Sequence, residues 1–125
     1  MKKHIPKSLQ IKHNNQVLKY LTPLSCHGDI IEPLSTVLKK YTDVQKYCPD
    51  GDNFKYYLWH TNNIIFSFAV GMKNIALKLP NSRTQECILD GAIKCASAGN
   101  EWYLFPYNTN KLEKWSKIAY EYAKK

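Results

Sequence analysis

At 125 residues the chain is long enough for one domain with a real hydrophobic core and too short for two of ordinary size, so residues 1–125 read as a single domain. No apolar run approaches the ~20 residues that span a bilayer, and Met1-Lys2-Lys3-His4-Ile5-Pro6 has the basic flank of a signal peptide without the hydrophobic stretch that should follow; the cytoplasm is the expected compartment. A formal charge of +8 favours an acidic partner, yet 17 of the 18 basic residues are Lys and Arg83 stands alone, which argues against bidentate reading of phosphate or guanine.

Residues 1–53 carry the weakest pattern. Lys2, Lys3, Lys7, Lys12 and Lys19 form an acid-free stretch, Leu9 to Leu21 mixes periodicities, and Pro23 with Ser25-Cys26-His27-Gly28 reads as a turn. Asp29 to Tyr41 is expected to be a helix. Asp29 is its N-cap, Pro33 sits in the first turn, and Ile30, Leu34, Val37, Leu38 and Tyr41 share a stripe. Pro49-Asp50-Gly51-Asp52 is a loop leading into the most legible part of the chain.

That part, Lys55 to Pro80, reads as three antiparallel strands: Lys55 to Thr61, Ile64 to Val70 and Asn74 to Pro80. Asn62-Asn63 is a two-residue hairpin turn, since Asn tolerates the left-handed region, and this sets Thr61 opposite Ile64. Counting back predicts Trp59 opposite Phe66 and Tyr57 opposite Phe68 on one face, with Ile75, Leu77 and Leu79 added by the third strand. The other face pairs His60 with Ile65, Leu58 with Ser67 and Tyr56 with Ala69, and adds Ala76 and Lys78. The Trp59 face is assigned to the core, because no polar residue interrupts it and aromatic pairs there contribute about 0.5–1.5 kcal/mol each beyond burial. The mixed face is the candidate partner-binding surface, represented by Tyr56, Leu58, His60, Ser67 and Lys78.

After Pro80 the pattern becomes helical. Ser82 with Gln85 forms a capping box, Ile88, Leu89, Ala92, Ile93 and Ala96 make the buried stripe, and Gly99 is the expected C-terminal cap. Gly91 costs that helix about 1 kcal/mol relative to Ala. Glu101 to Pro106 reads as a fourth strand, and Thr109 or Asn110 to Ala123 as an amphipathic helix with Leu112, Trp115, Ile118, Ala119 and Tyr122 on one side. The resulting class is α+β: an antiparallel sheet of about four strands packed against two C-terminal helices, with a partly helical N-terminal third.

The chain offers little for chemistry. Cys26, Cys48, Cys87 and Cys95 lack C-x-x-C or Cys/His spacing and read as buried free thiols, the last two about 80° apart on one expected helix. Cys26-His27-Gly28-Asp29 collects a thiol, an imidazole and a carboxylate, but adjacent side chains rarely face each other; Cys26 with His60 is the other pairing considered for a cysteine-dependent enzyme. Asp50 and Asp52 lack the later ligands of a calcium loop, and the glycines form no nucleotide-binding arrangement, so no metal or cofactor is expected. Tyr56 and its aromatic neighbours beside lysines keep single-stranded nucleic acid as the alternative ligand.

The segments Phe68 to Pro80, Gly99 to Pro106 and Leu112 to Ala123 together resemble the C-terminal half of small bacterial single-domain proteins of immunity type, which neutralise a toxin by binding it. The resemblance spans about half the chain and carries over no functional residue. It implies a non-catalytic protein-binding domain whose partner is a toxin or effector, and the positive charge favours an acidic surface on that partner.

Overall fold

The computed structural model describes residues 7–21, 31–48, 56–70 and 74–124. They form an α+β fold with six strands in one sheet, ordered β1-β2-β3-β4-β6-β5, every neighbouring pair antiparallel. The strands are β1 (Gln45–Tyr47), β2 (Tyr57–Thr61), β3 (Ile64–Val70), β4 (Asn74–Lys78), β5 (Ile93–Lys94) and β6 (Trp102–Pro106). The helices are α1 (Asn15–Leu21), α2 (Ile31–Leu38), α3 (Thr84–Leu89) and α4 (Leu112–Ala123), with short 3₁₀ turns at Lys7–Leu9, Lys12–Asn14 and Asn81–Arg83. Two strands therefore join the four expected from sequence, and β1 and β5 are the sheet edges. The expected loop Pro49 to Asp52, the turn around Ser25 and the proposed cap Asp29 fall outside the described residues.

The hairpin forms as its turn chemistry dictates. Asn62 and Asn63 take φ of 54° and 62°, and Thr61 pairs with Ile64 and His60 with Ile65. One residue further on, the expected register fails. Trp59 pairs with Ser67, Leu58 with Phe68 and Tyr57 with Ala69, because β3 carries a bulge in which Phe66 and Ser67 together oppose Trp59. Such a shift moves every later side chain to the opposite face. Phe68 thus leaves the Trp59 face, Ala69 joins it, and Ser67 turns toward the side of Leu77, its opposite number on β4.

Both sheet faces are consequently packed. On one, Trp59, Phe66, Ala69, Ile75, Leu77, Tyr103 and Phe105 meet Leu34 and Leu38 of α2, Cys87 of α3, and Leu112, Trp115, Ala119 and Ala123 of α4. On the other, Tyr56, Leu58, Ile65, Phe68, Ala76 and Trp102 meet Leu9, Val17, Leu18 and Leu21 of the N-terminal segment, with Cys95 and Ala98. Phe68 touches Trp102 at 4.9 Å and Tyr20 at 5.8 Å between ring centroids. Fully burying such a ring is worth about 1.5–3 kcal/mol. The sheet is thus a middle layer, with α2, α3 and α4 on one side and residues 7–21 on the other.

The helix expected after Ser82 is cut in half. It ends at Leu89, where Gly91 takes φ of 102°, its N–H bonds to Ile88 O at 3.0 Å, and Ala92 N–H bonds to Cys87 O at 3.0 Å. This is a Schellman termination at Gly91, eight residues before the glycine expected to supply it. Residues 92–95 then extend to pair with β6, and the expected stripe is broken: Ile88, Leu89 and Ile93 are 49%, 87% and 67% exposed. Cys87 and Cys95 accordingly lie in separate clusters, on opposite faces of the sheet, and share no helix. α2 and α4 follow their stripes: Leu34, Leu38, Leu112, Trp115 and Ala119 are buried, and Tyr41 stacks on Tyr120 at 4.1 Å.

Candidate functional site

The face expected to meet a partner is closed. Tyr56, Leu58 and Ser67 are 2%, 0% and 0% exposed, and His60 is 8% exposed. Tyr56 and Leu58 lie beneath the N-terminal segment. Ser67 has turned to the other side through the bulge and donates its hydroxyl to Ala76 O at 2.9 Å. Burial raises the Tyr56 phenol to about 12 and lowers the His60 imidazole below its usual value, so both stay neutral. Of the five residues, only Lys78 remains half-buried at a surface opening. An antiparallel sheet is free to leave one face to water; this one does not, because residues 7–21 bring their own apolar set of Leu9, Val17, Leu18 and Leu21.

The opening at Lys78 arises where β3 and β4 part. Their ladder begins at Ser67 and Leu77, so Ile64 to Phe66 run on without β4 beside them. The side chain of Asn14, fully buried, fills the seam: its Oδ1 accepts from Ile65 N–H at 3.0 Å, and its Nδ2 donates to Leu9 O at 2.8 Å and Asn63 O at 2.9 Å. Beyond Asn14 the seam widens into two adjoining hollows of about 270 and 180 Å3 that share His13, Lys78 and Glu101. The larger has an apolar wall of Ile64, Phe66, Ala119 and Ala123. The smaller is closed by Gln16, Val17, Gly99 and Trp102. Tyr122 donates its hydroxyl to Glu101 Oε2, and that bond together with burial raises the phenol to about 12. Nothing in the sequence signalled this grouping, because His13, Lys78, Glu101 and Tyr122 come together only through the divergence of two strands.

A second feature is the distribution of charge. On the side of α2, α3 and α4, three lysines are neutralised in place: Lys40 pairs with Glu113 at 2.8 Å, Lys114 with Glu86 at 3.1 Å and Asp90 at 3.2 Å, and Lys124 with Asp43; Lys39, Lys111 and Lys117 form no ion pair among the described residues. The bonds from Lys124 and Tyr120 hold the Asp43 carboxyl down at about 2. The N-terminal cover has no such balance. Lys7, Lys12, His13 and Lys19 are exposed on a segment, 7–21, that contains no acidic residue, and among the described residues every ion pair lies on the opposite side of the sheet.

The thiols divide by burial. Cys87 bonds to Thr84 O at 3.3 Å and burial raises its pKa; Cys95 is buried beside Tyr20, whose phenol is raised to about 12 by burial and by its bond to Cys95; Cys48 is partly exposed. Cys26, His27 and Asp29 fall outside the described residues. Among the described residues no three His, Cys, Asp or Glu side chains converge as a metal site, and no helix is long and apolar enough to cross a membrane. Comparison with protein-family models, with curated proteins and with solved structures finds no match to this chain.

Proposed function

We propose that the protein is a non-catalytic binding domain of immunity type, which docks its N-terminal cover on an acidic surface of a toxin or effector protein and occludes it. The observation that carries the reading is the one-sided charge: an acid-free segment with Lys7, Lys12, His13 and Lys19 exposed, on a sheet whose other side holds three of its lysines, Lys40, Lys114 and Lys124, against acidic side chains. Unpaired charge on one face raises a potential that steers an oppositely charged partner and falls with salt. The apolar underside of the same segment is anchored on the sheet, so the lysines are presented from a fixed base.

The test uses the full chain and a Lys7→Glu/Lys12→Glu/Lys19→Glu variant as baits in nuclease-treated lysate of the source organism. The reading expects one acidic protein, held by the wild type and released by the variant, that rebinds in purified form at a defined stoichiometry. Expression of that protein alone should arrest growth, and co-expression should relieve the arrest. Retention of nucleic acid instead, with affinity falling steeply as salt rises, transfers the assignment to a single-stranded nucleic-acid binder. Equal retention by wild type and variant overturns the role of the lysine face.

A further inference from the structure

The seam between β3 and β4 gathers charged and apolar side chains around one cleft, apart from the exposed lysines of the N-terminal cover. Elsewhere among the described residues, Lys40 and Lys114 close onto acidic side chains at 2.8–3.2 Å. In the seam no such closure occurs: Lys78 and Glu101 line the same cleft, and neither forms an ion pair among the described residues. Glu101 is held by Tyr122 through Oε2 alone, which leaves its other oxygen as an acceptor. Opposite charges kept apart across a cleft, with an apolar wall between Ile64, Phe66 and Ala119, complement a molecule that carries both charges and a hydrocarbon body.

We propose that this cleft binds a free α-amino acid with an apolar side chain. The ligand carboxylate meets Lys78, with His13 at the rim, its ammonium meets Glu101, and its side chain lies on the wall of Ile64, Phe66, Ala119 and Ala123. The larger hollow, about 270 Å3, is below the ~300 Å3 at which sites for drug-sized ligands begin, which suits a single amino acid. The Tyr122 phenol, raised to about 12, stays protonated at neutral pH and keeps Glu101 oriented as acceptor. Both charged contacts are needed for orientation, since each alone is exposed to competing water.

The experiment is an amide-resolved NMR titration of the full chain with L-leucine, L-methionine and L-phenylalanine, each beside its N-acetyl and carboxamide derivatives. The proposal expects saturable shifts from at least one parent amino acid, confined to residues around His13, Phe66, Lys78, Glu101 and Tyr122. N-acetylation, amidation, Lys78→Met and Glu101→Gln are each expected to weaken binding at least tenfold. The ligand derivatives leave the protein untouched, so they decide the matter even where a variant is destabilised. Absence of saturable shifts from all three amino acids, or derivatives that bind as well as their parents, overturns it.

Discussion

Asn14 should contribute more to stability than any other polar side chain in the N-terminal segment, and Asn14→Ala measures this. The substitution removes three hydrogen bonds at a fully buried position: those to Leu9 O, to Asn63 O and from Ile65 N–H. A buried backbone N–H left unpaired costs about 1–3 kcal/mol. The two carbonyls lose less, since each has a second lone pair and some freedom to relax. A central value of about 3 kcal/mol for the whole site is a large share of the ~5–15 kcal/mol that typically stabilises a domain. With a urea m-value of roughly 1.5–2 kcal/mol/M, within the range for small domains, the unfolding midpoint drops by about 1.5–2 M. Urea denaturation followed by tryptophan fluorescence reads the midpoint, and hydrogen exchange reads the Ile65 amide directly. Asn14→Asp separates the two halves of the amide, because a carboxylate still accepts from Ile65 N–H but donates to neither carbonyl. A loss of less than about 1 kcal/mol in Asn14→Ala, with the Ile65 amide as protected as in the wild type, would show that Asn14 does not hold the seam.

Ser116 is buried in α4 and its hydroxyl has no partner among the described residues. Ser116→Ala should therefore stabilise by about 1 kcal/mol, through relief of the unpaired hydroxyl and better helix propensity; a lower midpoint in the same urea assay would contradict this. Gly99→Ala should destabilise more than Gly91→Ala. A Cβ at Gly99 lands 2.9 Å from Trp102 Cδ1, in a packed ring, whereas at Gly91 it meets nothing within 4 Å and only the positive φ of 102° opposes it, a strain of about 1–2 kcal/mol. Equal losses at the two sites would show that Trp102 yields. His60, held neutral by burial, binds a proton less readily folded than unfolded, so its contribution is present above the unfolded pKa near 6.5 and is lost as pH falls through the lower folded value. Stability measured from pH 7 to 5 should decline more steeply in the wild type than in His60→Gln, and parallel profiles would remove His60 as the cause.

What the sequence disclosed was whatever neighbours in the chain decide. The Asn62-Asn63 turn, the stripe of α4, the Leu34/Leu38 face of α2 and strand β6 each follow from residues within a few positions of one another, and each formed. The register failed because the bulge at Phe66-Ser67 is tied to Asn14, fifty-odd residues away in sequence, and to the point where β4 leaves β3. The helix after Ser82 is shorter than its pattern predicts for a different reason. Ile88, Leu89 and Ile93 have helical spacing, but Asp90-Gly91 is a turn signal in the middle of that stripe, and the Schellman bonds at Gly91 outweighed the pattern. Strand β1, three residues at a sheet edge, has no alternation to read.

The same physics explains why the sheet face predicted to meet a partner is interior. Tyr56, Leu58, His60, Ile65, Ser67 and Ala69 read as a mixed face because a sheet covered on both sides loses its clean apolar/polar alternation, and its buried polar members then resemble exposed ones. His60 and Ser67 are instead interior groups, one kept neutral and one bonded to Ala76 O. Covering that face requires an amphipathic segment whose inner side is Leu9, Val17, Leu18 and Leu21, and its outer side is then whatever the segment has left: Lys7, Lys12, His13 and Lys19. Charge that seemed scattered along the first third of the chain is therefore gathered onto one surface by the burial of its apolar residues. Lys78 escapes burial for a related reason, standing at the last rung of β4 where the ladder to β3 has already ended. Both proposed sites thus depend on the packing of residues 7–21 against the sheet. Asn14→Ala, by loosening that packing, should weaken partner capture and amino-acid binding together, whereas Lys78→Met should abolish only the second; loss of both in Lys78→Met would mean that cleft and lysine face are one site.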